Sequence, residues 1–267
     1  MNAKPVTHDY ARTRVGELHY AECGNGHPLL CLHQTPRSWD EYRELLPLLG
    51  QHFQVIAMDT PGMGASAPHP DGPSIETYAD AALALLEHLD IDRCAVIGHH
   101  TGGVIAFRLS AIATERVTRL VLSSTPFVNE EGRKLRETRP PIDEVEPDEN
   151  GAHLAALWQR RQAFYPQNRP DLLHRFLCDA MKCANPEDGH RAVARYTMER
   201  DLESVEQPTL IVGHDADPFA YPETKVLASV MPHAENVTVK EGMVPLEFKA
   251  EAFAKAVLPF LRRDSRQ

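Results

Sequence analysis

The sequence predicts an α/β protein in which one mostly parallel sheet is covered by helices. Short apolar runs alternate with longer helical patterns, the pattern of parallel strands joined by crossover helices. That alternation breaks once, between Phe127 and Glu206, where a helical stretch of different character intervenes. A length of 267 residues accommodates one α/β domain carrying such an insertion.

The strand-like runs are Leu18–Cys23, Leu29–His33, Gln54–Met58, Cys94–Gly98, Leu120–Ser123, Thr209–Val212 and Val237–Lys240. Helical patterns fall near Trp39–Leu49, Ile75–Leu89, Gly102–Thr114 and Ala250–Arg262. Ser38 followed by Glu41 has capping-box spacing, which starts a helix directly after the loop that leaves the second run. Within the interruption, residues 129–150 are charged and carry Pro140, Pro141 and Pro147, so an extended excursion is expected. Helices are then expected over Ala152–Phe164, Asp171–Cys183 and His190–Glu199. A helical insertion between strands of an open α/β sheet reaches the carboxyl ends of the strands, where such sheets bind ligands, and is read as a lid. The expected division is 1–127 with 206–267 as the core and 128–205 as the lid.

Composition narrows the function classes. A net charge of −10 argues against non-specific nucleic-acid binding and against docking to an anionic membrane. No apolar run approaches the roughly 20 residues of a membrane span. The first ten residues hold no signal-peptide core, and a soluble cytoplasmic protein is expected. The five cysteines form no C-x-x-C pair. Cys31 and Cys94 lie inside apolar runs and read as small buried hydrophobes of a reducing compartment.

The loops carry the chemistry. Gly98-His99-His100-Thr101-Gly102-Gly103 follows an apolar strand and opens a helix. Leu32-His33-Gln34-Thr35-Pro36 ends the second run, and Asp59 to Ser66 reads Asp-Thr-Pro-Gly-Met-Gly-Ala-Ser. Ala216-Asp217-Pro218 follows another strand, and Gly242-Met243-Val244-Pro245-Leu246-Glu247 follows the last. In these five segments, taken in order, the chain resembles the α/β-hydrolase superfamily, including its lid-bearing esterases, epoxide hydrolases and dehalogenases. The resemblance covers nearly the whole length. It implies an eight-stranded, mostly parallel sheet with flanking helices and a nucleophile elbow at residues 98–102. It also implies an oxyanion turn at His33–Gln34, a triad acid at Asp217, with Asp215 as competitor, and a triad histidine at position 243.

Two departures change the expected chemistry. The nucleophile position holds His100, and the histidine position holds Met243. A serine esterase needs a hydroxyl against a base oriented by an acid, and that arrangement is missing. His99 is expected to point away from the pocket, Thr101 to lend its N–H, and Ser66 to be a poor substitute nucleophile. The two substitutions are compatible with each other. Loss of the middle imidazole leaves space between elbow and acid, and His100 is longer than serine by enough to reach Asp217. A His100–Asp217 dyad would serve as general base, with the N–H groups of Gln34 and Thr101 as oxyanion donors. Cofactor-free lyase, cyclase, C–C cleavage or water-activating chemistry on a small carbonyl compound would suit it. Two alternatives stand beside this: a binding or regulatory protein without catalysis, and an ester hydrolase working through an acyl-imidazole.

The remaining polar residues are less specific. Fourteen histidines show no ligand spacing, so no metal is expected. No cofactor is implied, the partner is a small-molecule substrate, and oligomeric state is open. His33, Trp39, Trp158 and Met243 are candidates to line the substrate pocket, Met243 as an adaptable filler. The insertion is rich in arginine, including Arg160, Arg161, Arg175 and Arg195, any of which would suit a substrate carboxylate.

Overall fold

The structure, a computed structural model, describes residues 5–218, 220–240 and 244–263. Strands β1 (Thr7–Thr13), β2 (Gly16–Gly24), β3 (Pro28–Leu32), β4 (Gln54–Met58), β5 (Cys94–His99), β6 (Val117–Ser123), β7 (Thr209–His214) and β8 (Glu235–Val239) form one sheet. Their order is β1-β2-β4-β3-β5-β6-β7-β8. β1 and β2 are antiparallel, β2 meets β4 antiparallel, and the pairs from β4 through β8 are parallel. β1 escaped the sequence reading because it is a polar edge strand, with only Ala11 buried.

Helices cover both faces: α1 (Leu46–Leu49), α2 (Ile75–His88), α3 (Thr101–Ile112), α4 (Glu130–Glu137), α5 (Ala152–Arg161), α6 (Pro170–Lys182), α7 (Asp188–Arg195), α8 (Ala220–Val230) and α9 (Ala250–Leu261). Strand alternation decides which face each side chain joins. Leu30, Leu32 and Val96 pack with α2 and α3, whereas Leu29, Cys31 and Ile97 pack with α1 and α9. The connection after β3 therefore leaves toward one face and the connection after β5 toward the other. That divergence opens a crevice at the carboxyl ends of β3 and β5, the switch point where open α/β sheets hold ligands.

Three expectations need correction. The excursion over 129–150 contains a helix, α4, because Asn129 caps it by accepting from the Gly132 N–H at 2.8 Å. Acidic residues in its first turn, basic residues in its last and a Glu130–Lys134 pair also favour it. Second, the helix expected over Trp39–Leu49 divides into a 3-10 turn at Trp39–Tyr42 and the short α1. Third, Ser38 caps that turn, but Glu41 does not return to it and closes no capping box. α8 was not foreseen.

Between β6 and β7 lie α4 to α7. This segment has its own apolar cluster, including Leu157, Leu172 and Phe176, while Ala192, Val193, Tyr196 and Met198 join the sheet's core. It is tied down by charge as well. Arg37, fully buried, donates to Asp179 of α6 at 2.9 Å and to Glu247 at 2.9 and 3.1 Å. Arg175 of α6 donates to Asp40 and Glu44 at 2.5–3.2 Å. No helix among the described residues is long and apolar enough to cross a membrane.

Removing one partner of a buried ion pair leaves the others desolvated and uncompensated. Arg37→Met is expected to lower unfolding stability by about 3 kcal/mol or more, measured by denaturant titration. An unchanged midpoint would show that Asp179 and Glu247 do not depend on Arg37.

Candidate active site

The site begins at the elbow. A Cβ at Gly98 would overlap the carbonyl of Gly102, and one at Gly102 would overlap the carbonyl of Leu32, so glycine is required at both. Between them His100 takes φ +46° and ψ −114°, a left-handed conformation costly for a residue with a Cβ. The sharp turn lifts its ring over the end of β5. His100 Nε2 lies 2.9 Å from Asp217 Oδ2. Asp217 is buried, and its Oδ1 accepts from the Ala220 N–H at 2.9 Å, which fixes the carboxylate at the start of α8. Asp215, the competing acid, is exposed.

His100 keeps 26% of its side chain exposed and lines a cavity of about 790 Å³ between the sheet and the insertion. Its Nδ1 has no hydrogen-bond partner among the described residues and is not among the fully buried atoms lacking one, so it is open to the surroundings. Burial pulls the His100 pKa down. The charge and hydrogen bond of Asp217, with Glu41 and Glu223, outweigh it and raise the pKa above its ordinary 6.5.

The histidines beside it behave differently. His99 is buried, and its Nδ1 lies 2.9 Å from Ser123 Oγ, which in turn lies 3.0 Å from His214 Nε2. Burial holds His99 well below the ordinary imidazole range and lowers His214 to about 3; charge on His100 pushes both the same way. Burial thus disfavours charge on both rings, which form a polar floor under the elbow.

The oxyanion turn differs from expectation. The Gln34 N–H donates to Glu41 Oε2 at 2.8 Å, and its side-chain amide donates to Glu41 Oε1 at 2.5 Å. Its backbone donor is thus occupied by a carboxylate, which corrects its assignment as an oxyanion donor, although Gln34 does line the cavity. Burial pushes the Glu41 pKa up to about 7 against the pull of Arg37. Thr101 also lines the cavity and opens α3, where helix geometry leaves the first N–H groups without intrahelical partners.

Three pocket assignments are corrected. His33 is buried, with Nδ1 2.7 Å from the Gln34 carbonyl and Nε2 accepting from the Thr60 N–H at 2.9 Å, so it braces the turn. Trp39 packs against His8 and carries Arg43 over its ring. Trp158 packs in the insertion's own apolar cluster, and none of the three lines the cavity. Met243 lies outside the described residues. Ser66 is buried and donates to the Asp59 carbonyl at 2.7 Å, so it is no nucleophile.

A second histidine–aspartate pair faces the cavity from the insertion. His190 Nε2 lies 2.9 Å from Asp143 Oδ2, and Arg161 grips the same fully buried carboxylate. Asp143, Glu187 and His190 have metal-ligand proximity. Arg161 and His190 already use the Asp143 oxygens, and Glu187 Oε1 accepts from the N–H groups of residues 142–144. No metal is assigned there. The separation of 47 positions between Asp143 and His190 explains why spacing gave no sign of the pair.

The elbow, the acid at the end of β7 and the family model described as alpha/beta hydrolase fold, matching residues 27–204, agree. The chain belongs to the α/β-hydrolase-fold family. It is 38% identical over 117 residues to a soluble epoxide hydrolase of Corynebacterium sp. (strain C12), covering 44% of this chain and 41% of that protein. It is 34% identical over 154 residues to bifunctional epoxide hydrolase 2 of Mus musculus, covering 55% and 25%. The chain thus spans less than half the length of these curated relatives. A solved hydrolase from Pseudomonas aeruginosa PA01 superposes with a TM-score of 0.79 at 25% identity, over 96% of this chain and 98% of that one.

Replacing Asp217 by asparagine removes the largest influence that raises the His100 pKa and leaves burial in place. NMR titration of His100 is expected to give a midpoint above 6.5 in the parent and a lower one in Asp217→Asn. A raised folded-state pKa stabilises the fold below the unfolded value, and that contribution is lost as pH rises through the folded one. The stability advantage of the parent over the variant should therefore shrink toward alkaline pH.

Proposed function

We propose that this α/β-hydrolase-fold protein is a cofactor-free enzyme in which His100, oriented by Asp217, acts as general base on a small carbonyl compound. The observation that carries the reading is the 2.9 Å contact from His100 Nε2 to Asp217, made by a ring that also lines the cavity. Nε2 donates to the carboxylate, so Nδ1 holds the lone pair. It takes a proton from substrate or from a substrate-bound water, and Asp217 stabilises the imidazolium that forms. Negative charge developing on the carbonyl oxygen meets the Thr101 N–H and the amino end of α3. The insertion over 128–205 serves as the lid that excludes water from this step.

Relatives named as epoxide hydrolases support water activation as one outcome of the same base. The elbow carries an imidazole in place of a hydroxyl, so on this reading hydrolysis delivers water directly rather than through a serine ester. Proton abstraction beside a carbonyl, leading to elimination, cyclisation or C–C cleavage, uses the same two groups.

Assay with p-nitrophenyl acetate separates the readings. General-base catalysis predicts turnover without an acetylated enzyme, a loss of roughly 100-fold in His100→Ala, and an acidic limb above pH 6.5 that moves lower in Asp217→Asn. Accumulation of acetyl-His100 by mass spectrometry would instead assign a nucleophilic imidazole. Full activity in His100→Ala, or binding with no turnover, would overturn an enzymatic role for the dyad.

A further inference from the structure

The cavity and the whole chain differ in sign. The chain carries a net charge of −10, yet six arginines and only four carboxylates line the cavity. Four of the arginines are engaged. Arg136 pairs with Glu223, Arg161 with Asp143, Arg191 with Glu144 at 3.4 Å, and Arg160 donates to the carbonyls of Ile142 and Glu144 at 2.8 and 3.1 Å. Arg139 and Arg195 have no side-chain hydrogen bond or ion pair among the described residues, and both are exposed. Arg139 follows α4 and Arg195 ends α7, so two separate pieces of the insertion each supply one exposed arginine to the cavity lining.

Three of the four carboxylates on the wall are already engaged. Asp217 holds His100, Glu223 holds Arg136, and Glu187 accepts from three backbone N–H groups. Glu137 is exposed at the end of α4. Further in, Phe164, Tyr165, Phe176, Val193 and Val244 make an apolar wall. Asp217 and Glu223 near His100 disfavour an anion at that end.

We propose that the cavity takes an organic carboxylate with an apolar body, its acid group held at the mouth by Arg139 and Arg195. Guanidinium groups suit this task because their planar donors match a carboxylate. The acid then sits outward and the reacting carbonyl inward at His100. This inference rests on reading the cavity as the substrate site.

The test compares 4-phenylbutyrate with its uncharged amide, by calorimetry on the full chain. The acid is expected to bind more tightly than the amide, and added salt should weaken the acid alone. The double variant Arg139→Gln/Arg195→Gln should weaken acid binding by about tenfold and leave the amide unchanged. Arg262→Gln removes an exposed charge outside the cavity and should alter neither. His100→Ala should keep the preference for acid, so loss of catalysis and loss of anion recognition are read separately. Equal binding of acid and amide, no binding of the acid, or equal weakening by Arg262→Gln would overturn the proposal.

Discussion

The arrangement of the site depends on a guanidinium with no access to water. Arg37 stands in the turn that follows β3, and a cation so buried persists only where anions surround it. Burial lowers its pKa, and Glu247, Tyr165, Asp179 and Glu41 more than reverse that. Asp179 belongs to α6 of the insertion, and Glu247 to the segment before α9. One charge therefore joins the turn after β3, the insertion and the last loop. None of the three can shift alone without leaving a charge unpaired. The cavity between insertion and sheet inherits its shape from that tie, as does the position of Glu41 beside Gln34.

The elbow adds a second constraint, local rather than long-range. Its glycines permit the close approach of β3, β5 and α3, and its central residue bears the unfavourable backbone angles. Whatever occupies position 100 is projected into the cavity. A serine there would be too short to meet Asp217 and would need an intervening imidazole. A histidine reaches Asp217 itself, and the neutral His99 and His214 beneath it add no positive charge to oppose its protonation. Asp217, helped by Glu41 and Glu223, raises the pKa of His100, whereas burial lowers those of His99 and His214.

Most of the sheet could be read from sequence because buried parallel strands leave continuous apolar runs bounded by turns. The edge strand β1 could not, since a polar exposed strand lacks that signal. The His100–Asp217 contact was legible because a known elbow fixes one end and a strand-end aspartate the other. Glu41 was not. Its spacing from Ser38 suited a cap, and only tertiary folding shows that the Gln34 amides compete for it and win. His33, Trp39 and Trp158 were misplaced for a similar reason: adjacency to a site in sequence says nothing about which way a side chain turns. His190 and Asp143 lie too far apart in the chain for any spacing rule.

The carboxylate of Glu41 bears on the kind of intermediate the proposed base can support. A tetrahedral oxyanion concentrates its charge on one oxygen and is served best by two preorganised donors. Here one expected donor, the Gln34 N–H, is spent on Glu41, whose carboxylate sits behind the turn. An enolate spreads its charge over carbon and oxygen and asks less of a single N–H at the amino end of α3. On the proposed general-base reading, reactions passing through a delocalised anion would fit this geometry better than those passing through a tetrahedral adduct.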